Sequence, residues 1–207
     1  MLHAANVLAQ YIDNDADGKP DNTTVHNALV KHKAALVMFP KEGTSEESSF
    51  PGPSLGKEIT MSQNLYGFET RPGGAAKGEF DASLEEVLHL YTHAGYSVAY
   101  PEIFGEKKGT KIAALMAAAL KKKTYNPFAN EPDMDYPSQV TEYIYWGLTS
   151  ILGGQDFSGR YDNIKSEWIL NTTEKVKNQD PELYKLLTDP TYKFPTKLPD
   201  GAYKGNK

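Results

Sequence analysis

Apolar residues in this chain recur mostly at helical spacing, and that period constrains the fold more than any other feature. Leu2, Ala5, Leu8, Ala9 and Ile12 share one helical face, and Val25, Leu29, Val30 and His32 continue a second such pattern after an acidic loop. Leu84–Ala94 predicts a helix closed by Gly95 at the C′ position, and Lys111–Lys122 predicts an alanine-rich one. Pro137–Leu152 predicts a helix with proline in its first turn and Gly153 at its end. Asn163–Lys177 carries Ile164, Trp168, Ile169 and Val176 at helical spacings, and Pro181–Thr188 adds a turn or two. Against these stand two short strand candidates, Ala35–Phe39, stopped by Pro40, and Asn64–Glu69. Lys41–Pro53 and Arg71–Gly78 lack a period and read as loops, and the tail with Pro190, Pro195 and Pro199 reads as irregular. The expected fold is mainly α with a small β component (α+β). It is read as one domain over residues 1–207: a helix–acidic loop–helix at 1–33, short strands and loops at 34–80, a helical core at 81–190 and an irregular tail at 191–207.

Composition removes whole classes of function. The 207 residues are 39% hydrophobic, enough for a buried core. Twenty-two Lys+Arg against 27 Asp+Glu leave a net charge of −5, with no basic surplus to neutralise nucleic-acid phosphates. The absence of cysteine excludes disulfides, thiolate nucleophiles and Cys-ligated metals, so any metal centre must use His, Asp or Glu. The longest apolar run, Ile112–Leu120, is about half the length that spans a bilayer, so no membrane span is expected. Gly73-Gly74 and Gly153-Gly154 lack the context of a phosphate loop, and no Ser sits in a G-x-S-x-G elbow. The start, Met1-Leu2-His3-Ala4-Ala5-Asn6, is not a signal peptide, so an exported protein would carry its signal upstream. Asn22-Thr23-Thr24 and Asn171-Thr172-Thr173 are glycosylation sequons, relevant in a secreted protein.

The most specific local motif is Asp13-Asn14-Asp15-Ala16-Asp17-Gly18-Lys19-Pro20-Asp21. Hard oxygen ligands on alternate residues can converge on one Ca²⁺, and the glycine permits the sharp turn that brings later ligands round. The motif resembles the EF-hand family and its shorter DxDxDG relatives, with Asp13, Asp15, Asp17 and Asp21 as the implied ligands. It departs from that family at Pro20 and at Thr24, which stands where a bidentate Glu belongs. The implied role is structural, with weak binding suited to the millimolar calcium outside cells. The alternative is an Asp/Asn turn whose side chains bond the local backbone.

Ser83–Tyr96 holds two of the five histidines. At about 100° per residue, Leu84, Val87, Leu88 and Tyr91 form one stripe, while Glu86, His89 and His93 lie within about 60° of one another on the other side. Imidazoles at i, i+4 can grip one metal ion. The spelling Glu85-Glu86-Val87-Leu88-His89 also resembles the HExxH motif of the zincin metallopeptidases, with Glu85 in place of the first histidine. That resemblance implies a zincin-like helical core, Glu86 as general base, Glu85 and His89 as helical ligands, and His93 one turn on. Alternatively His89 and His93 are the ligands. In one zincin subclass the third ligand is a Glu on a later helix, which implies Glu142, on a segment aromatic on both faces and so buried all round; Glu167 is the reserve.

Such a site would hold Zn²⁺ or another divalent transition metal, with a bound water acidic enough to act as hydroxide. Glu86 would move its proton, and Tyr96, Tyr143 or Tyr145 would stabilise an oxyanion. Three blander readings compete. Ser83 and Glu86 spell a capping box, Glu85 and His89 make an ordinary helix-face pair, and His89 and His93 can lie on a solvated face. The reading is a secreted or otherwise extracytoplasmic zinc-dependent hydrolase, with His89, His93 and Glu142 as ligands and Glu86 as base, acting on a peptide or small-molecule substrate. The alternative is a non-enzymatic secreted calcium-binding or metal-binding module. The oligomeric state stays open.

Overall fold

The computed structural model describes residues 1–50, 52, 58–74 and 77–205. The chain divides into two compact units. Met1–Gly74, Glu79–Ala99 and Pro199–Lys207 form the first, and Ala75–Gly78 with Tyr100–Leu198 the second. The fold is mainly α with a small parallel sheet, as expected.

In the first unit, α1 (Leu2–Ile12) buries Ala4, Val7 and Tyr11, one helical stripe. Helix α2 (Thr23–Lys31) starts where the Asn22 side chain accepts the Val25 N–H at 3.1 Å, and it buries Val25, Ala28 and Leu29. Strand β1 (Ala35–Phe39) is as expected. The stretch expected as a loop from Lys41 instead contains a short helix, α3 (Ser45–Ser49), capped by Thr44 and carrying Glu46 and Glu47 in its first turn. Five residues are too few to show a period, so only capping chemistry marks it. Residues 51 and 53 of that stretch, and 75–76 of the second expected loop, lie outside the described residues. Strand β2 is Ser62–Tyr66, shorter than the expected Asn64–Glu69 at its C-terminal end, because Gly67–Glu69 makes one 3₁₀ turn. The strands pair in parallel, from Ala35 opposite Ser62 to Phe39 opposite Tyr66.

Helix α4 (Ser83–Leu90) does not end at Gly95. It runs into a π turn over Tyr91–Tyr96 and then into α5 (Ser97–Ala99). Gly95 serves close packing here: a Cβ at that position would meet Val25 Cγ1 at 2.7 Å. The hydroxyls of Thr92 and Ser97 donate to the carbonyls of Leu88 and His93, occupying acceptors that the wider turn loosens.

The second unit holds α6 (Pro101–Phe104), α7 (Lys111–Lys122) and α8 (Tyr136–Ile151), the last two capped by Thr110 and Asp135. The helix expected over Asn163–Lys177 is broken. Its parts are α9 (Arg160–Ile164) and α10 (Thr173–Gln179), and α11 (Pro181–Leu187) follows. Between α9 and α10, Trp168 forms an isolated antiparallel bridge with Tyr125, and its ring N–H donates to Ser150 Oγ at 3.0 Å. That fully buried indole is worth more in the core than in a regular helix, where it would lose those partners. Tyr125, Tyr143 and Trp168 lie 5.5 to 6.2 Å apart between ring centroids at the centre of this unit. Among the described residues no helix is long and apolar enough to cross a membrane.

Candidate metal centres

The start of α4 is held by Asp81. Its Oδ1 accepts the Ser83 N–H at 3.2 Å, the Ser83 hydroxyl at 2.7 Å and the Arg71 N–H at 2.9 Å. Its Oδ2 stands 2.7 Å from Nε2 of His3. With the helix N-terminus satisfied in this way, the Ser83–Glu86 capping box does not form. Glu86 is engaged elsewhere: its Oε2 accepts from Gln63 Nε2 at 2.6 Å and lies 3.5 Å from His89 Nδ1.

Glu85, Glu86 and His89 each offer a ligand atom, and the three atoms lie within 4.8 Å of one another. The two glutamates are half-buried and His89 is 7% exposed, so the imidazole is not on a solvated face. Helix geometry makes the group: 85 and 89 are i, i+4 neighbours and 86 and 89 are i, i+3. Of the two ligand sets open in the sequence, the structure brings together the one that uses Glu85. His93 is half-buried in the π turn and belongs to neither of the groups able to hold an ion among the described residues. The i, i+4 argument assumes α geometry up to residue 93, and i→i+5 pairing changes that spacing.

Tyr96 is fully buried edge-on against Tyr91, with ring centroids 5.3 Å apart, and Tyr91 stacks on Tyr11 at 6.1 Å. The Tyr11 hydroxyl donates to the Leu84 carbonyl at 2.8 Å, tying α1 to α4. Burial first, then the charges of Asp81 and Glu85, push that phenol far above the usual tyrosine range.

The remaining candidates belong to the second unit. Glu142 is half-buried on α8, although its neighbours along that helix are buried almost all round, as its aromatic pattern predicts. The buried Tyr145 hydroxyl accepts from Gln155 Nε2 at 3.0 Å, and the Tyr143 hydroxyl donates to Asp180 at 2.5 Å. Glu167 is buried with both oxygens occupied, by Trp146 Nε1 at 3.0 Å and Asn130 Nδ2 at 2.9 Å. Burial raises its carboxyl above the usual range against the pull of those two donors.

In the acidic loop, Asp13, Asp15 and Asp21 form the second group of ligand atoms within 4.8 Å. Asp13 is 4% exposed; its Oδ1 accepts the Asp17 N–H at 3.1 Å, and its Oδ2 accepts the Gly18 N–H at 2.8 Å and the Tyr203 hydroxyl at 2.5 Å. Burial pushes this carboxyl up, but the donors together outweigh it and hold Asp13 below the usual range. Asp21 accepts the Asn14 N–H at 2.7 Å, yet burial and the neighbouring aspartates raise it. Gly18 has φ +86°, the left-handed turn the motif predicts. Asp17 is not in the group; its carboxylate accepts the Lys19 N–H at 2.8 Å, in an Asx turn.

Both sequon asparagines are 5% exposed and hydrogen-bonded, Asn22 as the α2 cap and Asn171 to the Gln155 carbonyl, so neither amide is presented for glycosylation in the folded chain. Three residues escape the sequence reading: Asp81, Gln63 and Tyr203. Asp81 carries a signal, Asp two residues before the first helical turn. Gln63 and Tyr203 carry none, being 23 and 190 positions from the carboxylates they contact. No family model, curated protein or solved structure matches this chain.

Proposed function

We propose that the protein is a divalent-metal-dependent hydrolase, with zinc as the ion and a peptide or another small substrate, working at Glu85, Glu86 and His89. The observation that carries this reading is the convergence of those three ligand atoms within 4.8 Å on one turn of a helix. Two carboxylate oxygens and one imidazole nitrogen suit a borderline ion such as zinc. When bound, the ion supplies a water acidic enough to act as hydroxide near neutral pH. Glu85, His89 and one oxygen of Glu86 would hold the ion, and the other oxygen of that carboxylate would take a proton from the water and return it to the leaving group. His93, in the π turn, stands outside this group and holds no ion. Tyr96, sealed in its aromatic stack, takes no step.

Zinc analysis tests the site. The parent is expected to bind near one equivalent, and Glu85→Ala/His89→Ala to lose it; zinc retained in the double variant ends the reading. A peptide library cleaved by the parent and not by Glu86→Gln supports turnover, and equal cleavage by both removes the assigned base.

A second reading, a secreted calcium-binding module without turnover, is favoured by the convergence of Asp13, Asp15 and Asp21. It expects chelation to lower the melting temperature of the parent and not of Asp13→Ala, with no zinc bound.

A further inference from the structure

We propose that Gln63 is the positioning residue of the helix centre, fixing which oxygen of Glu86 meets the ion; this rests on the metal reading of Glu85, Glu86 and His89. Strand β2 packs on α4. By strand alternation Gln63 and Leu65 share one face of β2, and Leu65 is fully buried, so Gln63 stands on the packed side. Asn64 and Tyr66, on the other face, both donate to Glu47 Oε1, at 3.2 and 2.5 Å. Each face of the strand therefore holds one glutamate.

The Gln63–Glu86 bond has one chemical direction. An ionised carboxylate only accepts, so the amide nitrogen of Gln63 must face it. At 2.6 Å it is the short, charge-assisted kind. His89 Nδ1 addresses the same oxygen, Oε2, from within α4 at 3.5 Å. Strand and helix thus converge on Oε2, which leaves Oε1 for the ion. A glutamate side chain has about 1.5–2 kcal/mol of rotamer freedom to lose. Gln63 removes it before the ion arrives, and outer-shell partners of this kind are typically worth about 10–100-fold in metal affinity.

The test is zinc titration of the full chain by calorimetry, with Gln63→Met, which keeps the shape and loses the donor. Expected is a 10–100-fold weaker dissociation constant at a melting temperature close to the parent's. Cobalt(II) loaded in place of zinc is expected to show a changed visible spectrum. Gln63→Met combined with Glu86→Gln should bind no more weakly than Glu86→Gln alone, because Gln63 acts through that carboxylate. Additive losses with a lowered melting temperature would make Gln63 a packing residue and overturn the inference. So would an affinity within twofold of the parent's. If the parent binds zinc and Glu85→Ala/His89→Ala loses it while Gln63→Met does not, the inference alone fails. A parent that binds no zinc overturns both it and the site reading.

Discussion

The acidic loop and the helix centre each gather three ligand atoms, but they hold their carboxylates by different means. In the loop, Asp13, Asp17 and Asp21 accept N–H groups from Asp17, Gly18, Lys19 and Asn14, all within the same nine residues. In the helix centre Glu86 is held by a side chain from a strand 23 positions earlier. The loop is thus organised mainly by the chain that carries it, while the helix centre depends on the sheet being in place. At Asp13 burial is outweighed by the Tyr203 hydroxyl and then the Gly18 and Asp17 N–H groups, so it titrates below the usual range; at Asp21 burial and then the neighbouring aspartates outweigh the Asn14 N–H, so it titrates above it.

The largest expected effect tests that self-organisation. Asp13→Ala removes the acceptor for two backbone N–H groups and the Tyr203 hydroxyl, at a buried position. It should cost about 2–4 kcal/mol in urea unfolding with chelator present. A cost below about 0.5 kcal/mol would mean that the donors do not organise the loop and that an ion must. The pH dependence has a definite sign. Because the folded Asp13 carboxyl lies below its unfolded value, its contribution is complete above about pH 4 and is lost as pH falls through the depressed value.

What could be read ahead of the structure follows the same division. The loop was legible because ligand spacing and the glycine are local, and three of its four aspartates do converge. Helices α1, α2, α7 and α8 are legible because a 3.6-residue period is local too. The break at Trp168 was not, since its partners Tyr125 and Ser150 come from elsewhere in the second unit. At the helix centre Glu85, Glu86 and His89 are one turn apart and could be named, but the role of Gln63 depends on strand packing that no spacing encodes. The π turn, which separates His93 from the group, contains a glycine packed against Val25, where the spacing alone predicts a helix end.

A smaller effect bears on that turn. Gly95→Ala would add a Cβ 2.7 Å from Cγ1 of fully buried Val25, a β-branched side chain with little room to rotate. Overpacking costs about 1–3 kcal/mol, and the gain of alanine over glycine in a helix is about 0.5–1 kcal/mol. The balance is a net loss of about 1 kcal/mol in thermal unfolding. A stabilised variant would show that packing against α2 does not shape the π turn, and would weaken the account of why His93 stands apart.

The smallest effect separates a loop that waits for a cation from one that is finished without it. In the folded chain burial, and then the charges of Asp15, Asp13 and Asp17, raise the Asp21 carboxyl above its unfolded value, against the pull of the Asn14 N–H. A raised acid loses stability as pH rises through its folded value, so at neutral pH the ionised Asp21 opposes folding. Asp21→Asn keeps an oxygen for the Asn14 N–H and removes the charge. With chelator at pH 7 its melting temperature should rise by less than about 2 °C, since the group is only partly buried and solvent screens it. That gain should vanish near pH 3, where the parent carboxyl is protonated as well. Under saturating calcium the order should reverse, because the parent alone offers the third carboxylate. A variant less stable than the parent at pH 7 in chelator would show that the Asn14 hydrogen bond outweighs the repulsion, leaving the loop complete without an ion.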